Sequence, residues 1–362
     1  MRRRLPAFVV FVTVASFLSS SAAQAYSLRP HPTWMADGVV RSILRVGDVT
    51  YLAGRFTHLH DGLGNVIERP HLAALDTSGS PLPWNPGAVG NVSTLATDGA
   101  SLYVSGGFKQ VAGHHQRFVA AFDLATGAFR EWRPRPDGPV ATMFVNAAAG
   151  TLYIGGEFGV IGDVARERLA ALSTFDGSVL PFDAGRRKDG VNGDDVRGVV
   201  LARNRVVAVG NFVPHVQAFD AHTGALVPWE DRVPYLYSTL ATDGRRVYAG
   251  SGNGGGHVDA FRAGDGSLRW GVKGDGNVQE IVVGPDGLVY AGGHYCRIDG
   301  VYQEFLTIWT PDGIRIPYAI DFRPDCWGGI WAIEVTDEAL LLGGRFDRVG
   351  GVMQRRYAQL PA

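Results

Sequence analysis

Leu152-Tyr153-Ile154-Gly155-Gly156-Glu157-Phe158 is a short apolar strand that breaks into Gly-x-Phe. The chain repeats it. Copies of the phrase begin at Tyr51, Tyr103, Tyr153, Val207, Tyr248, Tyr290 and Leu341, at intervals of 52, 50, 54, 41, 42 and 51 residues. A β-type phrase recurring at a period near 50 marks a repeat architecture, in which each copy is one supersecondary unit that buries its apolar face only against its neighbours. Around each copy the sequence divides into four strand candidates. Strand a is an apolar run such as Val92–Thr97 or Val140–Val145, closed by a tight turn such as Asp98-Gly99, Asp243-Gly244 or Asp286-Gly287. Strand b is the phrase. Strand c has the form Arg117-Phe118-Val119-Ala120-Ala121-Phe122-Asp123. After it comes a turn with Gly79, Gly127, Gly177, Gly224, Gly266 or Gly313, and strand d then ends on Trp84, Trp132, Phe182, Trp229, Trp270 or Tyr318.

Strands a, b and c occur seven times, but d follows its own c only six times, because the chain stops at Leu360-Pro361-Ala362. The stretch from Tyr26 to Trp34 supplies the missing strand, with Trp34 as the seventh aromatic. Such closure leaves no long sheet edge exposed. The expectation is therefore all-β: a single seven-bladed β-propeller over residues 26–362, with four-stranded blades, closed by its N-terminal strand. Blade 5 departs furthest from the phrase, with Ser251 and Asn253 in place of Gly and Phe. Gly54, Gly106, Gly156, Gly210, Gly293 and Gly344 are expected where the backbone needs positive φ or close approach. Phe56, Phe108, Phe158, Phe212, Tyr295 and Phe346 are expected between blades.

Residues 1–25 read as a signal peptide. Arg2, Arg3 and Arg4 form a basic start, Phe8 to Leu18 an apolar run, and Ala23-Gln24-Ala25 a small-residue cleavage site. The apolar run is shorter than the roughly 20 residues of a spanning helix. A secreted, extracellular or cell-envelope bacterial protein without a membrane span is expected. The 34 basic and 35 acidic residues leave a net charge of −1 with no basic stripe, which argues against a nucleic-acid partner. The 49 glycines and 19 prolines suit a turn-rich all-β chain.

The succession Leu-Tyr-Val/Ile-Gly-Gly-x-Phe, Arg-x-x-Ala-Ala-Phe/Leu-Asp, Thr-Gly and Trp-x-Pro resembles the delta-60-repeat β-propellers of bacterial exported proteins over residues 34–360. The resemblance implies fold and export rather than a chemistry. Ala121-x-Asp123, Thr126-Gly127 and Trp132 are also similar to the tryptophan-docking motif of quinoprotein propellers, although one extra residue precedes the Trp and no vicinal Cys pair is present. The Gly-Gly and Trp pattern is kelch-like as well.

In a four-stranded blade the b–c and d–a connections share one face, here called the top, and they are the long and variable ones. Cys296 and Cys326 fall in neighbouring top connections of an exported chain and are expected to form a disulfide. His58, His60, His114, His115, His215 and His294 gather in the b–c connections. His58 and His60, two apart on an extended segment, share a side, and imidazole is a zinc ligand. They are candidate ligand-binding residues, although no spacing completes a zinc set. Asp189, Asn192, Asp194 and Asp195, with intervening glycines, are hard oxygen donors that could hold calcium, without the closing Glu of the twelve-residue calcium loop. No other cofactor is called for. The glycine run from Gly250 to Gly256 lacks the Gly-Lys-Ser/Thr of a phosphate loop. With the short repeats 4 and 5 it predicts a notch in the top rim. No Gly-x-Ser-x-Gly and no His-Glu-x-x-His is present, so no catalytic residue is assigned. The expected function is non-catalytic: a monomeric propeller binding a protein, glycan or cell-envelope component through its top face. The alternative is an enzyme at the mouth of the central channel, a hydrolase or lyase, or a quinone-dependent oxidoreductase.

Overall fold

The computed structural model describes residues 26–185, 195–230, 234–252, 255–322, 326 and 328–362. Residues 1–25, read above as a signal peptide, lie outside the described residues. Within them the chain is all-β and propeller-like, with one 3-10 turn at Ala147–Ala149. Seven antiparallel meander sheets follow one another, numbered here 1 to 7, with strands a, b and c in chain order. Strand a runs Val40–Val46, Val92–Thr97, Val140–Asn146, Val196–Ala202, Tyr237–Thr242, Asn277–Val283 and Gly329–Val335. Strand b runs Val49–Gly54, Ser101–Gly106, Thr151–Gly156, Arg205–Gly210, Arg246–Ser251, Val289–His294 and Ala339–Arg345. A regular strand d is present in sheets 3 to 6 only. In sheets 1 and 2 it shrinks to single bridges, Leu75 with Pro81 and Phe122 with Phe129. In sheet 1 the cause is plain: Pro81 and Pro83 have no N–H to give a ladder.

Every a strand carries a β-bulge at the same place, after Val40, Val92, Val140, Val196, Tyr237, Val278 and Ile330. The bulge explains the phrase glycine. It presses the carbonyl preceding the bulge against strand b, so a Cβ on Gly54 would stand 2.1 Å from the Val39 oxygen. The same distance is 2.1 Å from Gly156 to Pro139, 1.9 Å from Gly210 to Asp195 and 2.1 Å from Gly293 to Asn277. Close approach, rather than positive φ, is what these glycines supply. Three turn aspartates have a second task. Asp98 accepts the Ala100 and Ser101 N–H groups with one oxygen and the Tyr103 hydroxyl with the other, at 2.8 Å. Asp243 and Asp286 hold Tyr248 and Tyr290 in the same way, at 2.9 and 2.7 Å.

The core is divided into seven apolar clusters, each shared by two successive sheets. Phe108 packs with Tyr51 and Leu72 of sheet 1, Phe158 with Tyr103 of sheet 2, and Phe346 with Tyr290 of sheet 6. One cluster joins the two ends of the series, where Val40, Leu52 and Phe56 of sheet 1 meet Leu341 and Tyr357 of sheet 7. Each fully buried Phe is worth roughly 1.5–3 kcal/mol of apolar transfer, so the faces between sheets carry most of the cohesion. The strand d aromatics reach sideways as well. The indole N–H of Trp84 donates to the Gly127 carbonyl of the next sheet at 3.0 Å, Trp132 to Ser173 at 2.9 Å and Trp270 to Pro311 at 2.9 Å.

The segment Tyr26–Trp34 is irregular rather than a strand, and the first regular strand is Met35–Ala36. It nevertheless lies along sheet 7. The Ser27 N–H donates to the Pro361 carbonyl at 2.6 Å and the His31 N–H to Gln359 at 2.9 Å. A buried glutamine shows which part it plays. In sheet 2 the Gln116 amide donates to the Val119 carbonyl of strand c and the Trp132 carbonyl of strand d. In sheet 7 Gln354 donates to the Tyr357 carbonyl of strand c at 2.9 Å and to the Thr33 hydroxyl at 2.7 Å, with the Thr33 carbonyl beyond. Thr33 thus stands where a strand d residue stands elsewhere, and Trp34 bonds the turn residue Gly79 of sheet 1 through its backbone.

Two consequences can be measured by equilibrium denaturant unfolding. Gly156→Ala, whose new methyl meets a backbone oxygen, should cost about 1–3 kcal/mol, while Gly107→Ala, with nothing within 4 Å, should be near neutral. Gln354→Ala leaves buried carbonyls of both chain ends without their donor and should cost about 1–3 kcal/mol; an unchanged midpoint would mean that Thr33 is not held there.

Candidate functional site

The bulges also shape the centre of the molecule. Two consecutive residues of the bulged strand oppose one of its partner, which re-aims side chains. Residues of all seven a strands line one cavity of about 480 Å³. At the bulge position the residue changes from each sheet to the next: Arg41, Ser93, Ala141, Arg197, Ser238, Gln279 and Trp331 in sheets 1 to 7. The next position adds Glu280, and Glu334 lies further along strand a of sheet 7. The charged residues of the lining are Arg41, Arg197, Glu280 and Glu334.

Their electrostatic settings differ. Arg197 is paired with Asp195 at 2.9 Å. The Nε of Arg41 is buried without a hydrogen-bond partner, and burial together with the nearby Arg55 lowers its pKa. Burial, reinforced by repulsion from Glu334, pushes the Glu280 carboxyl up to about 8. Burial pushes Glu334 up to about 7, although its Oε1 accepts the Arg45 N–H at 3.0 Å. Around neutral pH the pair therefore retains protons that an exposed carboxylate would have lost.

The top rim is built by the b–c connections. Hairpins stand on sheet 1 (His58–His60 with Val66–Glu68), sheet 3 (Val160–Ile161 with Val164–Ala165), sheet 6 (Arg297–Ile298 with Val301–Tyr302) and sheet 7 (Arg348–Val349 with Val352–Met353). On sheet 2, Gln110–Val111 pairs instead with Ala88–Val89 of the preceding d–a connection. Among the described residues sheets 4 and 5 carry no such hairpin. An Asp-Gly pair ahead of strand a grips three of these loops. Asp37 accepts the Thr57 N–H at 2.8 Å, Asp137 accepts Gly159 and Val160, and Asp275 accepts Cys296 and Arg297. The glycine that follows each aspartate lets the loop backbone approach; a Cβ on Gly276 would lie 1.8 Å from the His294 oxygen.

Five rim loops end on a residue in the left-handed conformation without being glycine: His71, Phe118, Arg168, Phe305 and Arg356. Each donates its N–H to the carbonyl of the phrase aromatic and accepts the N–H of the phrase glycine, as Arg168 does with Phe158 and Gly156. Two hydrogen bonds hold the conformation that sterics disfavour.

Cys296 and Cys326 are joined, with 5.8 Å between their Cα atoms, linking the sheet 6 rim loop to the next d–a connection. The histidines are not brought together. His58 bonds Asp37 and Thr57 on the outer rim, and His60 lies on the same strand. His114 stacks on Phe129 with ring centres 4.1 Å apart, and His115 meets Gln110. His215 immediately precedes strand c of sheet 4, and His294 bonds the Cys326 carbonyl at 3.0 Å. Among the described residues no three His, Cys, Asp or Glu side chains form a metal-holding group. Asp189, Asn192 and Asp194 lie outside the described residues, and Asp195 is engaged by Arg197.

The channel residues escaped sequence reasoning because each occurs once, at a position where repeats show only variation. Blade 5 hid another unit. The Tyr237 hydroxyl donates to buried Asp259 at 2.6 Å, and His257 stacks on Tyr235 with ring centres 3.6 Å apart. Burial, only partly offset by Tyr237, pushes Asp259 up to about 6. The sequence signal was there: Tyr237 stands where the other copies have Val or Ile, and Asp259 where they have Ala, Gln or Thr.

A group with a raised carboxyl pKa binds its proton more tightly folded than unfolded, so its contribution to stability is full below the unfolded pKa and is lost as pH rises through the folded value. Glu280→Gln should therefore be more stable relative to wild type at about pH 9 than at about pH 5. Urea midpoints across that window check it, and parallel profiles would refute it.

The sequence model of the PQQ_2 family, described as outer membrane protein assembly factor BamB, matches residues 45–272. Among curated proteins none matches the chain. Among solved structures, the WD40 β-propeller domain of Doa1 superimposes with a TM-score of 0.60 at 11% identity, over 92% of this chain and 96% of that one. The computationally designed Ika8 protein does so with a TM-score of 0.57 at 12% identity, over 93% and 100%. Identities this low speak for fold alone, and the fold is that of a β-propeller. No helix among the described residues is long and apolar enough to cross a membrane. On the match over most of its length, the chain belongs to the PQQ_2 family, described as outer membrane protein assembly factor BamB.

Proposed function

We propose that this chain is an exported, non-catalytic scaffold, a monomeric seven-bladed propeller closed by its N-terminal segment, that holds a protein partner of the cell envelope or exterior on its top rim. Cleavage after Ala25 would release residues 26–362 as one domain, in the manner of the delta-60-repeat propellers that the phrase resembles. Three observations support the ring: seven successive sheets, an apolar cluster common to the first and the last, and the Gln354 clamp on Thr33.

One observation carries the binding role. Of the 14 large apolar side chains that stand exposed among the described residues, nine lie in top connections: Leu63, Val66, Val89, Val164, Val213, Val301, Tyr302, Val352 and Met353. Leu63 is 91% exposed at a hairpin tip. Scattered apolar residues need no explanation, but their gathering on one face marks an interaction surface. The outer hairpin strands also present unpaired edges, which suit the addition of a partner strand. The family's description as an assembly factor for outer-membrane proteins agrees with a protein partner.

Leu63, Tyr302 and Met353 are exposed, so replacing all three with Ser should leave thermal unfolding unchanged. In cross-linking to native envelope and secreted fractions, the wild type should hold a specific protein that the triple variant loses about tenfold or more. Retention by the variant would overturn the reading. Binding that a glycosidase abolishes and a protease spares would move it to a glycan.

A further inference from the structure

We propose that the channel arc formed by Gln279 and Glu280 of sheet 6, Trp331 of sheet 7 and Arg41 of sheet 1 is a binding site for one neutral, polyhydroxylated ring of sugar type. The site is separate from the apolar rim and does not depend on what the rim holds.

The arc is contiguous, since strands a of sheets 6 and 7 and of sheets 7 and 1 are neighbours. The opposite wall is uncharged apart from the paired Arg197; near the bulges it is small, with Ser93, Ala141 and Gly198, and further along it is apolar, with Leu95, Met143 and Leu240. One side of the cavity thus supplies recognition and the other supplies room. A cavity of about 480 Å³ falls within the range of small-molecule sites.

The groups on the arc select the ligand by elimination. The Nε of Arg41 is buried with no acceptor, and the Glu280 carboxyl makes no hydrogen bond to another residue described. An apolar ligand would seal both without partners, at about 1–3 kcal/mol each. A dianion would face Glu280 and Glu334, and a cation would face Arg41. A hydroxyl group both accepts and donates, so a ring carrying several can accept from Arg41 and the Gln279 amide while donating to Glu280.

Trp331 supplies the remaining feature. Its indole lies over Gly329, where a Cβ would come within 2.9 Å of the ring, so the absent side chain is what lets it lie there. The indole is half-buried at the cavity wall and offers a flat apolar face with an N–H at its edge. A sugar ring matches that pairing, with C–H groups on one face and hydroxyls around its rim.

The test is calorimetric titration of the purified chain with D-glucose, D-galactose, D-mannose and N-acetyl-D-glucosamine, each at millimolar concentrations, with tryptophan fluorescence read in parallel. At least one should bind saturably and shift the emission. Trp331→Ala should abolish that binding, Trp331→Phe should restore part of it, and Glu280→Gln should weaken it about tenfold. Tyr302→Ser on the rim should leave it unchanged, which separates this site from the surface proposed for the protein partner. Should Trp331→Ala fail to fold, Trp331→Phe and Glu280→Gln decide. The proposal is overturned if none of the four sugars saturates the wild type, or if binding is untouched by the channel variants. It is equally overturned if L-alanine, a zwitterion matched to Arg41 and Glu280, saturates the site in their place.

Discussion

In sheet after sheet the carbonyl of the bulged inner strand is pressed onto the glycine of the strand beside it. Much else follows from it. The bulge shortens the distance between strands a and b until no side chain fits at the phrase position, so the glycine is required by space. The glycine N–H then turns to the left-handed residue that ends the rim loop, and the phrase aromatic just beyond it turns into the cluster shared with the preceding sheet. On the other side of strand a, the bulge brings two successive residues toward the channel. Cohesion between sheets, the footing of the rim and the chemistry of the channel therefore have one geometric origin. Sheet 5 is the exception that shows the coupling: with Ser251 at the glycine position, its loop is short and the Tyr237–Asp259 bond fills its interior.

Polar satisfaction is handled locally. Asp98, Asp243 and Asp286 each serve a turn and a tyrosine. Asp37, Asp137 and Asp275 each tie the entry of a sheet to its own rim loop. Gln116 and Gln354 bridge strand c to the segment beside it where no regular ladder reaches. These are short-range devices repeated with the sheets, and each removes a buried donor or acceptor that would otherwise be left open. The channel is the place where that rule is relaxed, and relaxation of this kind is what a ligand can exploit.

The architecture was legible because repetition amplifies weak signals. A lone Leu-Tyr-Ile-Gly-Gly could be any strand, but seven of them at one period fix strands a, b and c. Strand d was only partly legible, since Pro81 and Pro83 reduce it to a bridge in sheet 1, and the segment before Trp34 acts in its place without regular pairing. The disulfide followed from two cysteines in adjacent connections. The channel was not legible at all. Arg41, Gln279, Glu280 and Trp331 sit at one structural height, but in sequence they are four unlike residues in three repeats, and only the bulge, itself invisible in sequence, aims them together. The histidines show the converse: a visible pattern that the fold scatters around the rim.

The contact between Ser27 and Pro361 lays the segment ahead of the first sheet along the edge of the last one. A chain that emerges in order from a ribosome can stack its sheets as they appear, but the face of the first sheet stays open until the last sheet arrives. Until then Val40, Leu52 and Phe56 of the first sheet have no partner face. Such a chain gains its last cooperative increment of stability late, after the longest loop in the molecule has closed. The contact between the first and last sheets is thus a built-in delay, because the two faces that meet there lie farthest apart in chain order.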